Sequence, residues 1–134
     1  MMLDSTRRDE ALEAGYNAML ETPSIANRVS FTLDEFKEGC RDFDVYGFFD
    51  EEPAGMVFLD KNHAHIAILN KYQGKCGKVI KQALSIFLEN RDYLIADVHK
   101  DNGKAIKFVK KLGFKFKERN DDILTYILGG KNVL

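Results

Sequence analysis

Val98-His-Lys-Asp-Asn102-Gly-Lys-Ala105-Ile-Lys-Phe108-Val-Lys-Lys-Leu-Gly113-Phe114 is the stretch on which the fold turns. Tyr93 to Val98, leading into it, is a short apolar run that reads as a strand. Asn102 opens a helix, because an Asn side-chain carbonyl accepts an amide of the first turn. Ala105, Ile106, Phe108, Val109 and Leu112 recur at helical spacing, with Ala105 and Phe108 on the buried side. Gly113 stops the helix, since glycine takes the left-handed conformation a helix end needs without a Cβ clash.

Working back from this stretch, Val79, Ile80, Ala83, Leu84, Phe87 and Leu88 mark another helix. The polar, glycine-bearing segment Asn70 to Gly77 links it to a strand over His63 to Leu69. A strand, a helix and a second strand over 63–98 predict a right-handed crossover and a parallel pair. Further back, Val45 to Phe49 and Met56 to Leu59 flank Asp50-Glu-Glu-Pro-Ala-Gly55 and read as a hairpin. A tight turn at Lys61-Asn62 leads antiparallel into the strand from His63.

Thr32-Leu-Asp-Glu35 has the spacing of a capping box, predicting a short helix to about Asp42. Leu12, Tyr16, Met19 and Leu20 give a helix over 5–20, with Ser5 or Thr6 as its cap and Asp9 in its first turn. Residues 21–31 read as a loop around Pro23 with a short helical turn. Beyond the opening stretch, Phe114 to Lys117 and Ile123 to Leu128 form a last hairpin through Asn120-Asp-Asp122. Gly129-Gly130 ends the pattern, and the last four residues are expected to fray.

The order α-α-β-β-β-α-β-α-β-β predicts an α/β fold with a mixed, mostly antiparallel sheet and helices on both faces. With 134 residues the chain suits one domain over 1–134. No 18-residue apolar run exists, which argues against a membrane span. Met1 to Glu10 carries no apolar signal segment. Cys40 and Cys76 read as free thiols in a reducing, cytoplasmic setting. No CxxC or HExxH spacing occurs, and His63 and His65 lack a third ligand nearby, so no metal is expected.

The net charge of −1 hides an asymmetry. Residues 1–60 hold 14 acidic and 5 basic side chains, whereas residues 61–134 hold 7 and 15. The excess of bases falls within 71–117, which has 12 bases against 4 acids. Such a stretch draws an anion. A glycine-bearing loop running into a helix N-terminus adds outward amides and a partial positive charge, and Lys75 and Lys78 lie beside it. Lys104, Lys107, Lys110 and Lys111 share neighbouring helix faces. No nucleic-acid motif accompanies them and the total charge is not basic, which argues against a nucleic-acid partner.

Taken together, these residues resemble the GNAT acetyltransferase superfamily. The family pattern V-x-x-x-N-x-x-A-I-x-F-Y-x-x-x-G-F is matched by Val98, Asn102, Ala105, Ile106, Phe108, Gly113 and Phe114, with Val109 where the family has Tyr. The family's Q/R-x-x-G-x-G/A loop is matched partly by Gln73-Gly74-Lys75-Cys76-Gly77-Lys78. With Gln73 leading, Cys76 falls on the first motif glycine; with Gly77 as the final glycine, Tyr72 leads. Short GNAT-like proteins of bacteriophages are similar in length and in relaxed loops.

The resemblance implies acetyl-CoA, or another acyl-CoA, as co-substrate and direct acyl transfer to an amine. It implies a pantetheine arm against Ile68 and Leu69, a pyrophosphate on Gln73, Gly74, Lys75, Cys76, Gly77 and Lys78, and contacts from Asn102, Ala105 and Phe108. The family's thiolate acid is a Tyr at the position of Val109, so water or another Tyr has to substitute, with Tyr126 and Tyr72 the candidates. His63, His65 and His99 are candidate bases, because imidazole titrates near neutrality. His99 and His65, with Tyr126, are the favoured catalytic set. Glu35, Glu38, Asp42 and Asp44 are candidates to draw a cationic amine. The missing Tyr supports an alternative, a GNAT-fold binding protein or phage structural or host-interaction protein without chemistry. A monomer or homodimer fits either.

Overall fold

A computed structural model describes residues 1–129. The expected fraying of the last four residues lies outside that range. The sheet has seven strands: β1 (Met2–Asp4), β2 (Asp44–Asp50), β3 (Glu52–Asp60), β4 (His63–Ile68), β5 (Tyr93–His99), β6 (Lys115–Asn120) and β7 (Ile123–Gly129). Their order is β1-β2-β3-β4-β5-β7-β6, and every neighbouring pair is antiparallel except β4 with β5. The helices are α1 (Arg8–Glu21), α2 (Pro23–Ala26), α3 (Leu33–Gly39), α4 (Gly77–Leu88) and α5 (Gly103–Lys111). The expected mixed, mostly antiparallel α/β architecture is present.

Strand alternation divides the core between the two faces of the sheet. On one face Val57, Leu59, Ala64, Ile68, Leu94, Ala96 and Val98 pack against Val79, Ile80, Ala83 and Leu84 of α4 and Val109 of α5. On the other face Val45, Phe49, Met56, Phe58 and Ala67 pack against Ala11 and Leu12 of α1 and Phe36 of α3. β3, buried through six consecutive positions, is the strand both layers share.

Four local expectations change. Residues Met2–Asp4 form an edge strand on β2 that has too short a pattern to be read from sequence. Ser5 and Thr6 do not cap α1. The Thr6 amide and hydroxyl both donate to Asp4 Oδ1, at 2.7 and 2.6 Å, and the helix starts after Arg7. Asp50 to Gly55 is not an open break, because β2 and β3 pair as far as Asp50 with Glu52, and Glu51 alone turns at φ 65°. α3 ends at Gly39 rather than near Asp42.

Other local readings hold. Thr32 and Glu35 form both bonds of the capping box. Asn102 Oδ1 accepts the Ala105 amide at 3.2 Å. Gly113 adopts φ 102°, a conformation that side chains with a Cβ rarely take, so the chain leaves α5 and starts β6 two residues later.

Candidate active site

The site is built by what β4 and β5 fail to do. They are parallel neighbours, yet His63 with Ile95 is their single register pair among the described residues. Asn62 makes that junction. Its carbonyl accepts the Ile95 amide at 2.7 Å, and its side-chain amide donates to the Tyr93 carbonyl at 2.9 Å. Beyond it the strands part towards Ile68 and His99. The gap that opens between them exposes backbone groups that a sheet would pair.

At the wide end of the gap the chain is held from several sides. The Leu69 amide donates to the Ala54 carbonyl, and the Asn70 amide to Glu21 Oε1. A 3-10 turn over Asn70–Tyr72 follows. In a trans peptide the carbonyl points away from the next amide, so the Ile68 carbonyl faces the gap. There it accepts the Gln73 side-chain amide at 3.0 Å. Gln73 is thus turned towards the strand end.

Gly74, at φ 82°, reverses the loop into α4. No side chain caps α4, and a Cβ placed on Gly74 or Gly77 would meet nothing within 4 Å. Uncapped first-turn amides, with Lys75 and Lys78 adjacent in the loop, have the chemistry of an anion cradle. These residues fit a pyrophosphate. The Cys76 side chain does not face this cradle. It is 1% exposed, its thiol donates to the Tyr72 carbonyl, and burial pushes its pKa up to about 11. Only its backbone belongs to the loop. Tyr72 is likewise packed in the core, and Cys40 is buried and free.

The remaining candidates divide between the two faces. On the α4–α5 face lie Tyr126, 3% exposed and edge-on to Phe116, and Val109, also buried. Ala105 and Phe108 are partly buried against the same cluster. On the opposite face β4 carries His63 and His65, and β5 carries Asp97 and His99. The His65 ring lies flat on Phe58, with centroids 4.6 Å apart, and loss of water there lowers its pKa below 6.5. His99 Nδ1 accepts the Asp101 amide at 3.2 Å. His63 Nε2 lies 3.4 Å from Asp97 Oδ2, while Thr125 donates to Asp97 Oδ1 at 2.8 Å.

Sequence reasoning missed Asn62, Asp97 and Thr125. Asp97 carried a usable signal, since aspartate is depleted from strands and this one interrupts an apolar run. The four acids considered for the amine have local partners, Asp42 facing Arg41 at 3.8 Å. Glu35 closes the capping box, Glu38 pairs with Arg41 at 2.6 Å, and Asp44 faces Arg91 at 3.6 Å. Asp44 pairs with Leu59, at the far end of β2 from the wide end of the gap. Glu52, at the hairpin tip nearer the opening, is paired with Lys71 at 2.7 Å. Among the described residues no three metal-ligating side chains converge, and no helix is long and apolar enough to cross a membrane.

No protein-family model matches the chain, and no curated protein matches it in sequence. Solved structures do match in fold. Spermidine N-acetyltransferase from Vibrio cholerae, in complex with CoA and spermine, aligns with a TM-score of 0.68 at 18% identity over 96% of this chain and 94% of its own. A ribosomal-protein-alanine N-acetyltransferase from Brucella melitensis aligns at 0.74 and 14%, over 96% and 99%. YncA of Salmonella typhimurium, a putative acetyltransferase with its cofactor acetyl-CoA, aligns at 0.75 and 14%, over 96% and 93%. The chain has the fold of the GNAT acetyltransferases.

Proposed function

We propose that the protein is an acyl-CoA-dependent N-acyltransferase that moves an acetyl group from acetyl-CoA to a primary amine by direct attack. The observation that carries this is the β4–β5 gap, closed by one register pair and ending at the uncapped amides of α4. The similarity in fold to proteins solved with acetyl-CoA or CoA supports it.

The loop Gln73, Gly74, Lys75, Cys76, Gly77 and Lys78 holds the pyrophosphate, with Cys76 contributing its backbone. Ile68 and Leu69 line the arm, and binding there displaces the Gln73 amide from the Ile68 carbonyl. Asn102, Ala105 and Phe108 flank it from α5. When bound, acetyl-CoA supplies an activated thioester. Holding an amine against that carbonyl is itself worth several kcal/mol of barrier. His65 and His99 border the gap on the amine side, and Tyr126 stands on the opposite face, where the thiolate is protonated. The two free thiols support a reducing, cytoplasmic location.

Calorimetric titration with acetyl-CoA tests the proposal, followed by transfer assays with spermine, n-butylamine and Nα-acetyl-lysine. Saturable binding with acetylation of a primary amine is expected. No binding at millimolar acetyl-CoA would overturn it. Binding with no transfer to any amine would favour a binding protein, a reading that the buried Val109, which has no O–H to donate, also supports.

A further inference from the structure

Asp97 is a costly residue to keep where it stands. It interrupts the apolar run of β5, where aspartate has low strand propensity. It is nonetheless held from two sides, by the Thr125 hydroxyl at 2.8 Å and by the His63 imidazole at 3.4 Å. The His63 and Asp97 side chains are 44% and 39% exposed. Half-exposed ion pairs contribute only about 0–1 kcal/mol, so stability is a weak reason for the arrangement. Its position is a better one. His63 is the vertex of the β4–β5 gap, and Asp97 stands two residues up the diverging strand on the same face.

A carboxylate beside one imidazole nitrogen selects the tautomer. Asp97 Oδ2, 3.4 Å from Nε2, favours the tautomer with its proton on Nε2, which leaves the Nδ1 lone pair free. His99 also has a carboxylate beside it, Asp101 Oδ2 at 3.6 Å from Nδ1, but that nitrogen accepts an amide and so carries no proton to turn towards it. His65 is stacked on Phe58. Asp60, the cross-strand partner of His63, and His65 complete the titratable surroundings.

We infer that His63 is the general base of the amine side, and that Asp97, fixed by Thr125, is the positioning residue that presents its Nδ1. The inference rests on the acyltransferase proposal and moves the role of base from His65 and His99 to His63. In the step itself, the amine nitrogen bonds to the thioester carbonyl carbon as the carbon–sulfur bond breaks. The N–H proton passes to His63 Nδ1, the departing thiolate takes the Tyr126 proton, and water carries the proton from His63 back to Tyr126.

Asp97→Asn, Asp97→Glu and Thr125→Val test this, each measured for acetyl-CoA affinity, for kcat with the fastest of the three amines, and by imidazole nitrogen NMR. The expected result for Asp97→Asn is a loss of roughly 100-fold or more in kcat, with acetyl-CoA affinity within twofold of the parent. The His63 nitrogen signals should move from a dominant Nε2–H form to a mixture. Asp97→Glu should recover part of the rate, and Thr125→Val should lose about tenfold. A kcat for Asp97→Asn within threefold of the parent, or an unchanged His63 tautomer, would overturn the inference while leaving the acyltransferase proposal standing. An unaltered protein that binds no acetyl-CoA would overturn both.

Discussion

The Asn62 carbonyl accepts the Ile95 amide at 2.7 Å, and this bond joins the two parts of the sheet at the point where they begin to separate. Asn62 belongs to a two-residue turn whose other member, Lys61, sits at φ 56°. The same residue that reverses β3 into β4 therefore also sets where β5 can attach. Its side-chain amide adds the bond to the Tyr93 carbonyl.

Replacing Asn62 by Ala removes the side-chain bond and leaves the Tyr93 carbonyl without that donor. A loss of about 1–2 kcal/mol is expected from urea unfolding. Asn62→Asp should cost a similar amount, because a carboxylate cannot donate to a carbonyl. Variants with parental stability would show that the junction is held by the backbone alone.

Asn102 separates a helix cap from a cofactor contact. Asn102→Ala should cost about 1 kcal/mol, since the Ala105 amide loses its acceptor. Asn102→Asp keeps an acceptor and favours the helix dipole, so its Tm should equal or exceed that of the parent. The added negative charge should nevertheless weaken acetyl-CoA binding by roughly tenfold. Thermal melts and calorimetry on the two variants measure both effects.

His65 carries a pH signature. Contact with Phe58 and repulsion from His63 hold its pKa below 6.5, with Asp60 and Asp97 opposing them. The unfolded chain then binds this proton more readily than the folded one, so the His65 contribution to stability falls as pH drops through 6.5 and below. His65→Gln should flatten that part of the Tm profile between pH 7.5 and pH 5. An unchanged slope in the variant would assign the pH dependence to other groups.

Cys76 and Cys40 should be silent towards thiol reagents in the native protein. With the Cys76 pKa near 11, only about 1 in 1,000 of its side chains is thiolate at pH 8. Burial raises Cys40 as well, against a smaller opposing effect from Arg8. Reaction with dithionitrobenzoate should release no thiol colour in buffer and two equivalents in denaturant. Rapid reaction in buffer would show that the loop around Cys76 opens.

The features legible in the sequence are those whose partners lie within one helical turn or one hairpin. The Thr32–Glu35 box, the Asn102 cap and the Gly113 stop each involve residues a few positions apart, and all three appear as expected. The apolar stripe of α4 was legible because burial on one face imposes a period on the chain, and β3 was legible as an unbroken apolar run because both its faces are covered. Met2–Asp4 was not, since three residues show no period, and that segment is a strand only because β2 offers it an edge. Thr6 failed as a cap because α1 starts one residue later, with Arg7 in the cap position, while Thr6 turns onto Asp4.

The candidate site divides in the same manner. The loop Gln73 to Lys78 and Asn102 were visible as local patterns, and so were His63 and His65 on one strand face. The sequence by itself determined these elements and their order, because backbone hydrogen bonding and burial periodicity act over short separations. Which side chains meet was decided by the tertiary structure. Thr125 reaches Asp97 across 28 positions, and His63 faces it only because β4 and β5 join at Asn62 and then part. Strand register and sheet splay are set by packing of the whole chain, so the gap and the His63–Asp97–Thr125 row come into being only when the sheet assembles.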